Sequence, residues 1–348
     1  MKRKFTKAAV LISLGVLMFV AAWFLWPAYT PRIRDTSGQI VAGSIASLEQ
    51  VTLGGAQQYI LIRGWNRNNP ILLMLHGGPG MPQMYLAHQF QGELEKHFVV
   101  VQWDRRGAGK SYSRQVSAQS LSVEQLVADT HELVELLRQR FHQPKIILVG
   151  HSWGTYLGML TVQRYPDLFY AYVGMGQMTD SNQGRQLRRE FIRQRARETA
   201  NQEALDDMEV HWPDSSEKWL FRFGGELHNS TSWWPLLWIG LRAPEYTAYD
   251  ALHRMTAGLR LYEHGVEHGK HGELVQEVTA LQVPAYFFLG RHDYNTPSTL
   301  AAEYLQTLKA PNKKLVWFEE SAHFPFLEEP GKFATEMKRV LADVQSSN

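Results

Sequence analysis

Ile146-Ile147-Leu148-Val149-Gly150-His151-Ser152-Trp153-Gly154-Thr155-Tyr156-Leu157-Gly158-Met159-Leu160 decides the fold. Four consecutive apolar residues at its start read as a strand buried on both faces. The residues from Trp153 onward read as a helix. Between them Gly150-His151-Ser152-Trp153-Gly154 fits G-x-S-x-G, a tight strand-to-helix turn that lifts a serine hydroxyl above the end of a sheet. Side chains at the two flanking positions would collide with the neighbouring strand or helix, so glycine is needed there. The five residues alone are a short pattern, and their place between a buried strand and a helix gives them meaning.

Working outward, the same alternation continues. Residues 57–63, 71–75, 98–103, 145–149 and 170–173 read as strands, and 121–141 and 153–163 as helices. Strands and helices in this order imply a parallel sheet with helices on both faces. The rhythm breaks over 177–275, which is Arg-, Glu- and Trp-rich, mostly helical in pattern and free of buried strand runs. It resumes with a strand at 284–289, a helix at 299–308, a strand at 314–318 and a helix at 331–344. The expectation is an α/β core formed by 51–176 and 276–348, interrupted by a helical cap at 177–275. Residues 31–50, with Pro31 and Gly38 in a polar stretch, read as a tether.

A serine hydroxyl is a weak nucleophile and needs a base. With a strand-turn-helix serine, acid and histidine follow in chain order. His323 comes just after the strand at 314–318, and Asp293 just after the strand at 284–289, which makes Ser152, Asp293 and His323 the catalytic candidates. The carboxylate would hold the imidazole in one tautomer and stabilise the imidazolium. An oxyanion needs backbone N–H donors. Trp153, after the serine, supplies one. The glycine-rich run His76-Gly77-Gly78-Pro79-Gly80 supplies the other through Gly78, since Pro79 has no N–H.

Composition closes off other chemistries. The 348 residues contain no cysteine, which excludes disulfides, thiolate metal sites and a cysteine nucleophile. A net charge of +2 gives no reason to expect a nucleic-acid partner. Gly107-Ala108-Gly109-Lys110-Ser111 hints at a phosphate loop, but the spacing puts Asp104 where the first glycine belongs. His264, His268 and His271 have helical spacing, yet Gly265, Gly269 and Gly272 interrupt it, and no metal or other cofactor is expected. Trp233, Trp234 and Trp238 in the cap suit core packing, a substrate-pocket wall or a membrane contact. An aspartate nucleophile, as dehalogenases and epoxide hydrolases use, is at odds with Ser152.

At the N-terminus Lys2, Arg3, Lys4 and Lys7 precede an uncharged, mostly apolar run at 8–26. As a helix that run would span roughly 28 Å, close to the hydrocarbon thickness. Residues 1–30 are therefore expected to be a transmembrane anchor that leaves the catalytic body outside the cytoplasm, or else a cleaved signal that releases it.

HGGPG at 76–80, WDRRGAGKS at 103–111, GHSWG at 150–154, GRHDYNTP at 290–297 and the late Ala322-His323 together resemble the proline iminopeptidase branch of the α/β-hydrolases. The likeness extends over most of 51–345 outside the cap. It implies the α/β-hydrolase fold, a cap above the active site, and release of an N-terminal residue, often proline, from short peptides. Members hold the free amine of the substrate with cap or near-triad glutamates. Glu217, Glu226 and Glu245 are the cap glutamates available, and Glu226, Glu245, Trp233 and Trp234 are the substrate-binding candidates. Two departures stand out: Tyr294 follows the acid, where some members carry Glu, and His151 stands where the peptidases often carry Gly. The expected function is cleavage of small peptides or amides through an acyl-enzyme. The alternatives are a carboxylesterase with the same three residues and a non-catalytic binding protein on the same fold.

Overall fold

The computed structural model describes residues 13–15, 18, 27–265 and 273–346. Its strands are β1 (Ile45–Leu53), β2 (Ala56–Gly64), β3 (Ile71–Leu75), β4 (Val99–Asp104), β5 (Ile146–His151), β6 (Phe169–Met175), β7 (Ala285–Gly290) and β8 (Lys313–Phe318). They form one sheet in the order β1-β2-β4-β3-β5-β6-β7-β8. β2 runs antiparallel to both β1 and β4, and every later pairing is parallel. The longer helices are α1 (Val123–Phe141), α2 (Trp153–Arg164), α3 (Ser181–Glu198), α4 (Gln202–Val210), α5 (Ser216–Arg222), α6 (Trp234–Arg242), α7 (Met255–Gly265), α8 (Ser298–Thr307) and α9 (Pro330–Ser346).

Side chains alternate across a strand, so neighbouring residues serve opposite faces of the sheet. Leu73, Val101, Leu148 and Phe287 pack with Leu126, Leu133, Leu157 and Ala301 of α1, α2 and α8 on one face. Leu72, Val100, Ile147 and Phe288 pack with Phe333, Met337 and Val340 of α9 on the other. Burial on both sides explains why the inner strands are unbroken apolar runs. Helices α3 to α7 lie between β6 and β7 in sequence, and Ile192, Ala196, Met208, Trp219 and Leu220 give the cap a small core of its own.

Two expectations change. Part of the tether at 31–50 is sheet, because β1 begins at Ile45. The residues before it are tied to the body: Tyr29 N donates to Pro244 O (2.9 Å), and Arg63 Nη1 donates to Thr30 Oγ1 and Pro31 O (both 2.6 Å). The transmembrane helix does not stand either. A spanning helix needs about 20 mostly apolar residues, and among the described residues no helix is long and apolar enough to cross a membrane. Apart from 13–15 and 18, the run at 8–26 lies outside the described residues. The expected single-pass placement in the cell membrane, with the membrane as a partner, falls with the helix.

A buried ion pair locks the front of the sheet. Arg106, just after β4, donates from Nε to Asp129 Oδ2 (2.8 Å) and from Nη2 to Asp129 Oδ1 (2.9 Å) and Gly54 O (2.8 Å). Gln58 Nε2 adds a bond to Asp129 Oδ2 at 2.7 Å. The β1–β2 turn, the loop after β4 and helix α1 thus meet at one carboxylate. Arg106→Met should leave that carboxylate buried without its cation and cost about 3–5 kcal/mol. The urea midpoint is the measurement. A second change, Asp129→Asn, should recover much of the loss, and an unchanged midpoint in the single variant would contradict the pairing.

Candidate active site

Four loops meet at the carboxyl ends of the parallel strands, the usual place for a site in an open α/β sheet. Ser152 follows β5 with φ 52° and ψ −125°, a conformation non-glycine residues rarely adopt. Both flanks explain how it persists. A Cβ on Gly154 would lie 2.2 Å from Leu75 O, and one on Gly150 would lie 2.7 Å from Gly154 O. Ser152 N donates to Met175 O (2.9 Å), and Thr155 donates to Ser152 O from its N–H (2.8 Å) and its hydroxyl (2.6 Å).

His323 follows β8 and Asp293 follows β7, and both side chains are buried. His323 Nδ1 donates to Asp293 Oδ2 at 2.9 Å. The other carboxylate oxygen accepts the N–H groups of Asn295 and Thr296 (both 2.9 Å), while the Thr296 hydroxyl donates to Oδ2 (2.9 Å). A carboxylate so held cannot turn away, and it fixes the His323 proton on Nδ1. The Nε2 lone pair is then free to act as a base. Burial pulls the His323 pKa down, but the Asp293 and Glu226 carboxylates outweigh it and leave it raised. Gly176 gives the ring room, since a Cβ there would lie 2.7 Å from His323 Cε1.

The loop after β3 closes over the serine. A Cβ on Gly77 would lie 2.8 Å from Ser152 Cβ, and Gly78 has φ +90°, a left-handed conformation suited to glycine. Trp153 is the first residue of α2, where helical N–H groups have no partner within the helix. Beneath the loop, His76 Nε2 accepts Arg105 N–H (3.3 Å), which leaves Nδ1–H facing Gly77 O (2.9 Å). Buried Arg105 donates from Nη2 to Pro79 O (2.6 Å) and lies over the Trp153 ring at 5.0 Å.

The cap reaches this group through its backbone. His323 N donates to Glu226 O (3.0 Å), and Tyr294 N donates to Gly225 O (3.1 Å). Phe191 of α3 stacks on Tyr294 at 3.8 Å, and Arg188 Nη2 donates to Asn295 Oδ1 (2.8 Å). Glu226 is buried, and its Oε2 has no hydrogen-bond partner among the described residues. Desolvation pushes its pKa up to about 7, although His323 pulls the other way.

The other cap candidates have partners of their own or face outward. Glu245 bonds His88 Nε2 at 2.7 Å on the flank of the core. Trp233 packs on Phe221 at 3.9 Å, and Trp234 is 71% exposed. Sequence reasoning also passed over Thr296, Arg188 and Gln83. The Asp-Tyr-Asn-Thr spacing at 293–296, typical of an Asx turn, was the one signal available for Thr296. Among the described residues no group of three or more His, Cys, Asp or Glu is placed to hold a metal ion. His268 and His271 lie outside the described residues.

Comparison with known proteins agrees with this architecture. Residues 72–336 match the model of the alpha/beta hydrolase family. The chain is similar to the probable aminopeptidase YbaC of Bacillus subtilis, 33% identical over 308 residues that cover 85% of this chain and 96% of that protein. It is 25% identical to the proline iminopeptidase of Heyndrickxia coagulans over 75% of this chain and 87% of that one. Among solved structures it superposes on the proline iminopeptidase of Mycobacterium smegmatis with a TM-score of 0.66 at 16% identity, over 87% of this chain and all of that one, a likeness of fold. The chain therefore belongs to the α/β-hydrolase family, in the branch of the proline iminopeptidases.

Proposed function

We propose that this hydrolase is a serine aminopeptidase that releases an N-terminal residue, proline among them, from short peptides. Ser152 attacks the scissile carbonyl while His323 Nε2 takes its proton. The N–H groups of Gly78 and Trp153 receive the oxyanion. His323 then protonates the departing amine, and water hydrolyses the acyl-enzyme by the same base in reverse. Asp293 keeps the proton on Nδ1 and stabilises the imidazolium.

The observation that carries the amine specificity is Glu226. It is a cap carboxylate, buried beside His323, with one oxygen unpartnered among the described residues. The ammonium of a substrate would supply the missing partner and hold the carboxylate ionised, and this contact fixes how many residues lie before the scissile bond. Loss of a charge-assisted hydrogen bond of this kind costs about 1.5–3 kcal/mol.

Ser152→Ala should lower kcat by roughly 10⁴–10⁶, read with proline arylamides, and near-normal turnover would sink the assignment. Glu226→Gln should raise KM for substrates with a free amine by about 10- to 100-fold and leave their N-acylated counterparts unaffected. A panel of proline arylamides against p-nitrophenyl esters separates the alternative, because ester turnover without amide turnover would make the protein a carboxylesterase.

The same carboxylate should also govern stability against pH. A pKa raised to about 7 from 4.5 means the folded state disfavours the ionised form. The penalty is absent below the unfolded pKa and complete once pH has risen through the folded one, at roughly 3 kcal/mol. Glu226→Gln should therefore be more stable than the parent at pH 8 and equal to it near pH 4. Melting curves across that range are the check, and a gap that widened toward acid would contradict it.

A further inference from the structure

His151 occupies the variable position before the serine, and its ring turns away from solvent, beneath the catalytic loops. Nδ1 lies 2.5 Å from Gln83 Nε2, and Nε2 lies 2.8 Å from His323 O. An amide nitrogen only donates and a carbonyl oxygen only accepts, so one tautomer satisfies both: Nδ1 accepts from Gln83, and Nε2–H donates to His323 O. The ring is packed by Phe324 at 4.8 Å and edge-on by Phe326 at 5.1 Å, and its centroid is 4.7 Å from that of His323. A Cβ on Gly77 would lie 3.4 Å from its Nδ1. Every polar contact of this ring therefore ends on a loop that the proposed reaction uses. Its backbone belongs to the serine turn, one nitrogen holds the carbonyl of His323, and the other is held by the segment that continues the glycine-rich loop.

We propose that His151 is a positioning residue: a neutral imidazole that sets the His323 loop against Ser152 and the glycine-rich loop through the chain Gln83–His151–His323 O. The proposal rests on the reading of Ser152 and His323 as nucleophile and base. Burial, and then the neighbouring His323, keep the His151 pKa well below its ordinary value. The ring thus adds no positive charge beside the imidazolium that forms on His323 during the reaction. No proton passes through it, because both of its nitrogens are committed to fixed partners.

Three variants test this, each titrated with a fluorophosphonate so that rates are counted per reactive serine. His151→Leu fills the space without either hydrogen bond. It should lower kcat about 10- to 100-fold, the scale of a misplaced catalytic group, with KM within about twofold. His151→Gln keeps an N–H for His323 O and should recover most of that loss. Gln83→Met removes the bond that selects the tautomer. It should lower kcat by a smaller factor and move the acidic limb of the kcat/KM profile, which reports His323. Full kcat per labelled serine in His151→Leu would overturn the proposal, as would a His151→Gln variant no better than His151→Leu. Where His151→Leu fails to fold, Gln83→Met decides, since an unchanged kcat and pH profile there would also overturn it. If fluorophosphonate fails to label Ser152 in the parent protein, the reading of the site itself has failed.

Discussion

The backbone of Ser152 is the constraint on which the rest depends. Its φ of 52° costs of order 1–3 kcal/mol for a residue with a side chain, and it persists because nothing around it can give way. Gly150 and Gly154 let the strand, the helix and the Leu75 carbonyl of β3 approach within distances that a methyl group would block. Met175 of β6 accepts the Ser152 N–H, so the turn is pinned by the strands on either side of β5. The parallel order β3-β5-β6 is therefore what holds the serine turn as well as the core.

The cap belongs to this site as much as the sheet does. Gly225 and Glu226 accept the N–H groups of Tyr294 and His323, one from each of the loops that carry Asp293 and His323. A Cβ on Gly225 would meet Phe191 at 2.8 Å and Leu220 at 2.9 Å, so this segment threads a slot with no room for a side chain. The stack of Phe191 on Tyr294 closes the slot from the α3 side. Tyr294 thus serves as an aromatic clamp between the cap and the loop after β7. A displaced cap would loosen both loops.

Much of this was legible in the sequence, for physical reasons. Strands buried on both faces announce themselves as apolar runs, and Ile71–Leu75 was read to the residue. β1 was missed because it is an edge strand. Ile45–Leu53 is half-exposed along most of its length, carries Glu49 and Gln50, and among the described strands pairs with β2 alone. The catalytic candidates were readable because each follows a strand that was itself readable. The cap glutamates were not separable in this way. Glu226 and Glu245 are both buried, and what distinguishes them is tertiary: one lies beside His323, the other against His88, 157 positions away in the chain. The corrected membrane helix belongs to the same class of limits, because an apolar run at a chain terminus carries no partner in the sequence to test it against.

Three buried histidines around Ser152 differ in what surrounds them. His76 and His151 are pushed well below their ordinary pKa by burial, and the groups within hydrogen-bond reach of them are carbonyls, an amide, a backbone N–H and, for His76, the Arg105 guanidinium, which lowers its pKa further. His323 is just as deeply buried, yet its pKa rises, because it alone faces carboxylates. The same side chain in the same low-dielectric setting is driven in opposite directions by its partners. A base must hold a proton for part of the cycle, and only the imidazole whose charged form is stabilised can do so at moderate cost. The two neutral rings then serve as rigid hydrogen-bonding pieces, His76 under the glycine-rich loop and His151 under the His323 loop. In the reaction we propose, burial of all three, with a carboxylate given to one, separates the ring that carries the proton from the rings that hold the loops.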